Sequence, residues 1–412
     1  MTSLIGRLLI LSLSLQSLYV GNAAAFYEDE SGENYAGIFL SLSGLYLKNP
    51  KDTLLYNRSE DRSLVGVGRL IVSSRTEGGA EFDANIVAGF SKDSFNRDGG
   101  NSDTGRGVER NPLLEKTLSA EKDLISKGGI DHLSIRKSFG VADVKIGRQP
   151  INFATTFYFT PNDFFAPFSA EEFFRTYKPG VDSARVDLRL GSFTQLTVAG
   201  VLGYESDSSG DYRNFPDSER SSLVARFATV LGDFEWVLMG GDVTRTRVVG
   251  GALQGELFGW LGIRGEGHYS MPEEDGVDPF SEVSFGVEHR FESSLDLRGE
   301  YFYHESGYSS VMEYGSPRPE SKNPGIYLGQ RYFAAGAGYQ FSPLTTGQFL
   351  YMTNLADSSF LLSAYFVYSL SDEGEFSIGV NLPNGKKPSG LVMESEYGAY
   401  PSSISLEFRV YI

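Results

Sequence analysis

Between Tyr35 and Ile412 the apolar residues of this chain mostly alternate with polar ones, and no stretch there reaches the ~20 apolar residues that a membrane helix needs. The last segment shows the pattern most clearly. Ile404, Leu406, Phe408, Val410 and Ile412 fall on one face, with Ser403, Ser405, Glu407, Arg409 and Tyr411 on the other. One face suits lipid and the other suits water. A sheet in lipid tolerates no unpaired edge, so the alternation predicts an all-β chain closed into a transmembrane antiparallel β-barrel.

Candidate strands lie near 35–48, 62–75, 79–91, 129–138, 141–148, 180–190, 193–204, 219–230 and 233–245. They continue near 247–258, 260–270, 279–291, 294–304, 328–341, 344–354, 358–369, 374–384 and 402–412, which makes 18. Every second connection is a tight turn, such as Gly191-Ser192, Gly232-Asp233, Ser342-Pro343 or Ser371-Asp372-Glu373-Gly374. The other connections include all the long ones: 49–61, 92–128, 149–179, 205–218, 305–327 and 385–401. An even count with both ends on one side sends every long loop to the opposite side, as in bacterial outer-membrane barrels. The short connections near Thr246 and Asp357 are weakly marked, which leaves 16 strands as the alternative. Within 92–128, Leu114, Leu118 and Ile125 recur at roughly helical spacing and predict a short helix on the rim.

Ahead of the barrel, Arg7 precedes an apolar run from Leu8 to Val20 that small residues end at Ala23-Ala24-Ala25. Residues 1–25 therefore read as a secretory signal, 26–34 as an acidic periplasmic tail and 35–412 as one barrel domain. The net charge of −17 argues against nucleic acid as a partner, which would call for clustered basic residues. With no cysteine, the chain holds no disulfide, thiolate metal site or covalent haem, and so no cofactor of that kind; its four histidines offer little to a metal centre. The cluster Glu273-Glu274-Asp275-Gly276-Val277-Asp278 lacks the ligand spacing of a calcium loop and reads as a solvated turn.

The long connection 149–179 stands apart from the rest. It carries Phe153, Phe157, Tyr158, Phe159, Phe164, Phe165, Phe168, Phe173, Phe174 and Tyr177, too aromatic for a solvated surface loop. Loops of this length are usually functional or disordered, and this one reads as folded into the barrel, where it narrows the lumen. Arg148, Asp163, Arg175, Lys178 and Asp182 are its candidate anchoring and constriction charges, with Arg148 and Asp182 placed to pair at its two bases. Opposite the lipid-facing residues, the strands put both charge signs on the lumen. These are His132, Arg136, Asp143, Lys145, Arg185, Asp187, Arg189, Arg226, Arg264, Glu266, Arg298 and Glu300. Such a wall filters solutes by size and charge, or its members pair across strands and stabilise the sheet.

The stretch Ile146-Gly147-Arg148-Gln149, a loop, then Gly180-Val181-Asp182-Ser183-Ala184-Arg185-Val186 resembles porin-like Gram-negative outer-membrane channels. That group includes alginate-export-type barrels and barrels that ensheath multihaem cytochromes. The resemblance implies an outer-membrane channel for small polar solutes, with lipid and solutes as partners. Its alternatives are a sheath for a multihaem c-type cytochrome conduit, where haem comes only with the partners, and a polysaccharide export channel. No catalytic arrangement is legible, since Ser134 and His132 are only an i, i+2 pair on one strand.

Overall fold

The computed structural model describes residues 27–28, 33–51, 55–94, 109–121, 123–172, 177–206, 212–274, 276–314 and 327–412. The signal segment and most of the tail lie outside them, as does Arg175. Eighteen antiparallel strands close into a barrel. They are β1 (Tyr35–Lys48), β2 (Glu60–Arg75), β3 (Ala80–Asp93), β4 (Leu124–Phe139), β5 (Ala142–Gln149) and β6 (Val181–Arg189). Next come β7 (Thr194–Ser206), β8 (Tyr212–Leu231), β9 (Phe234–Val243), β10 (Thr246–Leu257), β11 (Leu261–Pro272) and β12 (Phe280–Arg290). The last are β13 (Asp296–His304), β14 (Arg331–Ser342), β15 (Thr345–Asn354), β16 (Phe360–Ser369), β17 (Gly374–Asn384) and β18 (Ser402–Tyr411). Each strand pairs with its sequence neighbour, and β1 pairs with β18 from Phe39↔Tyr411 to Lys48↔Ser402.

The count of 18 holds, and one of the two weakly marked connections, that near Thr246, has a physical explanation. Between β9 and β10 the two turn residues Thr244 and Arg245 have φ of 44° and 62°. That is the doubly left-handed geometry of a tight hairpin, which normally signals itself through Asn or Gly. Here Thr and Arg adopt it, so the usual marker is missing.

Apolar side chains such as Leu238, Val249, Phe285 and Ile404 lie exposed on the outer face. Their cross-strand neighbours share that face through an unbroken register, which makes a belt suited to lipid. Among the described residues no helix is long and apolar enough to cross a membrane, so the crossing is made by strands.

The helix expected in 92–128 does not form among its described residues. Instead Pro112–Leu114 makes one 3-10 turn and Glu115–Glu121 makes an extra strand paired with the start of β4. The reason is an open edge. β5 stops pairing with β4 at Leu133↔Arg148, so residues 124–129 of β4 would otherwise leave their backbone groups unmatched on that side. Satisfying a sheet edge outweighs a weak helical period, and Leu113 and Leu118 are left exposed.

Candidate functional site

The strand β5 ends early because the chain turns inward at Gly147, whose φ is +123°. A Cβ at this position would collide with the carbonyl oxygen of Leu133 on β4. Both the φ and the close approach demand glycine. Gly147→Ala is expected to cost about 2 kcal/mol or more, from strain plus displacement of β4. A lowered urea midpoint for unfolding of the lipid-inserted barrel would show it.

One residue on, Arg148 faces its register partner Asp182 across the gap between β5 and β6. Its Nε donates to Asp182 Oδ1 at 2.7 Å and its Nη2 to Oδ2 at 3.0 Å, a bidentate pair in which Arg148 is 1 % exposed. Remaining guanidinium donors reach the carbonyls of Ile130 and Asn111, both at 3.0 Å, while the Asn111 N–H donates to Asp182 at 2.6 Å. The two bases of the loop are thus tied to each other and to the segment that leads into the extra strand.

A second knot sits beside the first. Arg110 donates to Asp131 at 3.0 Å and to the Gly180 carbonyl at 2.8 Å, and Arg69 donates to Asp131 at 2.6 Å. Strict alternation along β4 would send Asp131 to the lipid face, so nothing in the sequence signals its role here. The register slips between Asn85 and Ile86, whose partners are His132 and Ile130, and that bulge leaves Asp131 outside the alternation.

Between its bases the loop crosses the lumen. Two wall carboxylates take up its backbone. Glu266 on β11 accepts the N–H groups of Thr155, Thr156 and Asn162, the last two at 3.1 and 3.2 Å. Glu300 on β13 accepts those of Phe157 at 2.8 Å, Tyr158 at 3.2 Å and Phe159 at 2.6 Å, with the Ser284 hydroxyl at 3.0 Å. Three donors converging on one carboxylate make a strong, charge-assisted clasp.

Side chains complete the docking. Ile151, Phe153 and Phe165 pack on Ala199, Val201, Val224 and Met239 of β7 to β9. On the other flank Phe159 stacks on Phe302 at 4.8 Å, in a cluster with Tyr332, Leu350 and Leu361. The Phe157 ring lies between the guanidinium groups of Arg264 at 4.6 Å and Arg298 at 5.0 Å. Tyr177 reaches Phe39 on β1 at 5.0 Å. Within the loop, Lys178 Nζ stands 2.6 Å from both Asp163 oxygens; burial pulls this ammonium below the usual lysine range, against the opposing pull of Asp163.

Two cavities flank the docked loop. One of about 520 Å³ lies between Val67, Arg69 and Val87 of the wall and Phe168 and Tyr177 of the loop. The other, about 490 Å³, lies between Val248, His268 and Phe280 of the wall and Phe164 of the loop. Pro167 borders both.

Two expectations are corrected by this arrangement. Glu266 and Glu300 do not line open water, since the loop backbone covers them to 4 % and 1 % exposure. Nor do Arg148, Asp163, Lys178 and Asp182 present charge to a solute, because all four are buried in pairs, as unpaired burial would be costly. What the loop turns toward the cavities is largely apolar. The other named wall residues are paired or engaged. His132 Nε2 meets the Lys178 carbonyl at 2.9 Å; Arg136 reaches Glu81 and Asp143, each at 3.3 Å; Lys145 reaches Asp83 at 3.0 Å. Arg185 pairs with Asp187 at 2.8 Å, Arg189 with Asp143 at 3.6 Å and Arg226 with Glu235 at 2.9 Å. Arg264 pairs with Glu288 at 2.9 Å and Arg298 with Asp296 at 2.7 Å. Ser134 does not meet His132, its buried hydroxyl having no hydrogen-bond partner. Among the described residues no group of His, Asp or Glu is arranged to hold a metal ion.

No family model and no curated protein matches the chain. Solved structures do. OccK2 (OpdF) of Pseudomonas aeruginosa superposes with a TM-score of 0.58 at 12% identity, covering 92% of this chain and 98% of its own. OccAB1 of Acinetobacter baumannii gives 0.55 at 12% identity, covering 96% and 99%. OccK7 (OpdD) of P. aeruginosa gives 0.57 at 10% identity, covering 92% and 99%. Over nearly the whole chain the likeness is one of fold, a closed 18-strand antiparallel barrel.

Proposed function

We propose that this chain is an outer-membrane channel of the porin kind, which passes small polar solutes and is narrowed by the inward loop between β5 and β6. The observation that carries the reading is the loop itself, anchored at both bases, clasped by Glu266 and Glu300, and flanked by two lumenal cavities. An apolar exterior around a wall of paired charges suits passive passage, with size set by the loop and charge by the wall. The fold shared with the Occ porins supports the same reading. Among the described residues nothing favours the sheath or the export channel.

Reconstituted into a planar bilayer, the purified chain is expected to give ohmic conductance steps. A barrel inserted in the bilayer but silent would overturn the proposal.

A further inference from the structure

Residues 385–401, between β17 and β18, end in a short turn Tyr397–Ala399 that is buried among other loops instead of lying in solvent. Tyr397 is 3 % exposed and packs with Phe159 and Ala170 of the constriction loop, with Tyr327 and Tyr400 against the same cluster. Tyr56, from the loop after β1, donates to the Ala399 carbonyl at 2.8 Å. At the centre is Glu396, 1 % exposed. Its carboxylate accepts from the Tyr332 hydroxyl at 2.6 Å, the Asn354 amide at 2.7 Å and the Leu328 N–H at 3.0 Å. Its own N–H donates to Asp357 at 2.7 Å.

Its carboxyl group thus ties the 385–401 loop to the loop after β13 and to strands β14 and β15, and among the described residues no cation stands beside it. The groups facing it are phenols, amides and other acids. Tyr314 and Leu328 come from the loop after β13, Tyr332 from β14 and Asn354 from β15. Asp357 comes from the loop after β15, Glu171 from the constriction loop, and Tyr397 and Tyr400 from the same loop as Glu396. No ion pair of the described residues includes Glu396, and a buried carboxylate without a counter-charge is costly to ionise.

We propose that residues 385–401 are a lid over the outer face of the constriction loop, latched by the Glu396 carboxyl group and released as the medium turns alkaline. This rests on the reading of the barrel as a channel only for its consequence, which is that release would widen the outer mouth.

The direction follows from proton linkage. Burial first, and then the Asp357 charge, push the Glu396 carboxyl up to about 7, although its three hydrogen bonds pull the other way. A group whose pKa is raised in the docked state stabilises docking fully below its free value and loses that contribution as pH climbs through the docked value. Burial also raises Glu171 beneath the lid, so a second acid shifts the balance in the same direction. The closed-to-open ratio is expected to fall by as much as about 10²-fold between pH 5 and pH 8.5.

The chain has no cysteine, which makes a thiol probe clean. Ala399→Cys, at a site 5 % exposed, is labelled by a methanethiosulfonate reagent in the full-length barrel at pH 5, 7 and 8.5. The same probe in the Glu396→Gln background removes the latch titration and keeps an acceptor, so it corrects for the thiol's own ionisation. The expected result is a labelling rate that rises at least tenfold more in the parent than in Glu396→Gln, with Tyr397→Ala labelled quickly at every pH. Equal pH profiles in the two backgrounds would overturn the lid. Should Glu396→Gln fail to fold, Asp357→Asn supplies the second comparison, with labelling of the parent rising at lower pH than in the variant counting against the idea. Labelling does not depend on conduction. A silent barrel with a pH-dependent lid would remove the channel reading alone, and a conducting barrel with pH-independent labelling would remove the lid alone.

Discussion

Glu300→Ala is expected to raise the single-channel conductance roughly two- to fivefold, since passage scales with the free cross-section of the pore. In the docked loop the N–H groups of Phe157, Tyr158 and Phe159 have the Glu300 carboxylate as acceptor, in surroundings made dry by Phe302 and Tyr332. Removing the carboxylate strands the buried Phe159 donor, at about 1–3 kcal/mol, and the half-buried Phe157 and Tyr158 donors at less. Undocking lets those donors reach water, and the loop swings off the wall. Glu300→Gln keeps one acceptor oxygen and should fall between the two. The barrel ladder is untouched by either change, so heat-modifiable mobility on a gel should remain that of the parent. Adding Glu266→Ala, which strands the N–H groups of Thr155, Thr156 and Asn162, should extend the effect; unchanged conductance in the double variant would show that the loop is held by its rings alone.

The second large effect is at the base of the loop. Arg148→Ala leaves Asp182 buried without its bidentate partner and frees the carbonyls of Ile130 and Asn111. Breaking a buried pair from one side costs about 3–5 kcal/mol. Both the stability of the β5–β6 corner and the position of the loop depend on it, so the urea midpoint should drop while conductance and gating noise rise. Replacing the pair together, Arg148→Met with Asp182→Leu, should restore much of the stability because no lone charge remains. Equal losses in the single and double variants would assign the effect to packing instead of charge.

Much of this architecture is legible in the chain. Strand alternation is a local property with a period of two, so each strand declares its own lipid face without reference to its neighbours. The last strand, from Ser403 to Tyr411, needed no partner to be recognised. The spacing of short turns and long loops then orders the strands and puts 149–179 at one end of the barrel. Its rings say that it is buried, because ten aromatic positions of that loop have nowhere else to go.

The site is a different matter. Glu266, Glu282, Glu288 and Glu300 sit at equivalent inward positions of β11 to β13, and nothing within any one strand separates those that hold the loop from those that pair with His or Arg. Asp131 joins the anchoring knot through a one-residue bulge, and residues 115–121 form a strand because β5 stops short. Likewise Glu396 is unremarkable in its own loop and becomes a latch only where Tyr332, Asn354 and Leu328 converge on it.

By itself the sequence determined the class of this barrel and its inward loop and favoured 18 strands over 16, all of which follow from periodicity and turn chemistry written locally in the chain. Only the tertiary structure decided which charges the loop consumes, where it touches the wall and what it leaves open. Those depend on backbone N–H groups and carboxylates that are more than 100 residues apart, such as Phe159 and Glu300 with a separation of 141, and no local pattern records such a meeting.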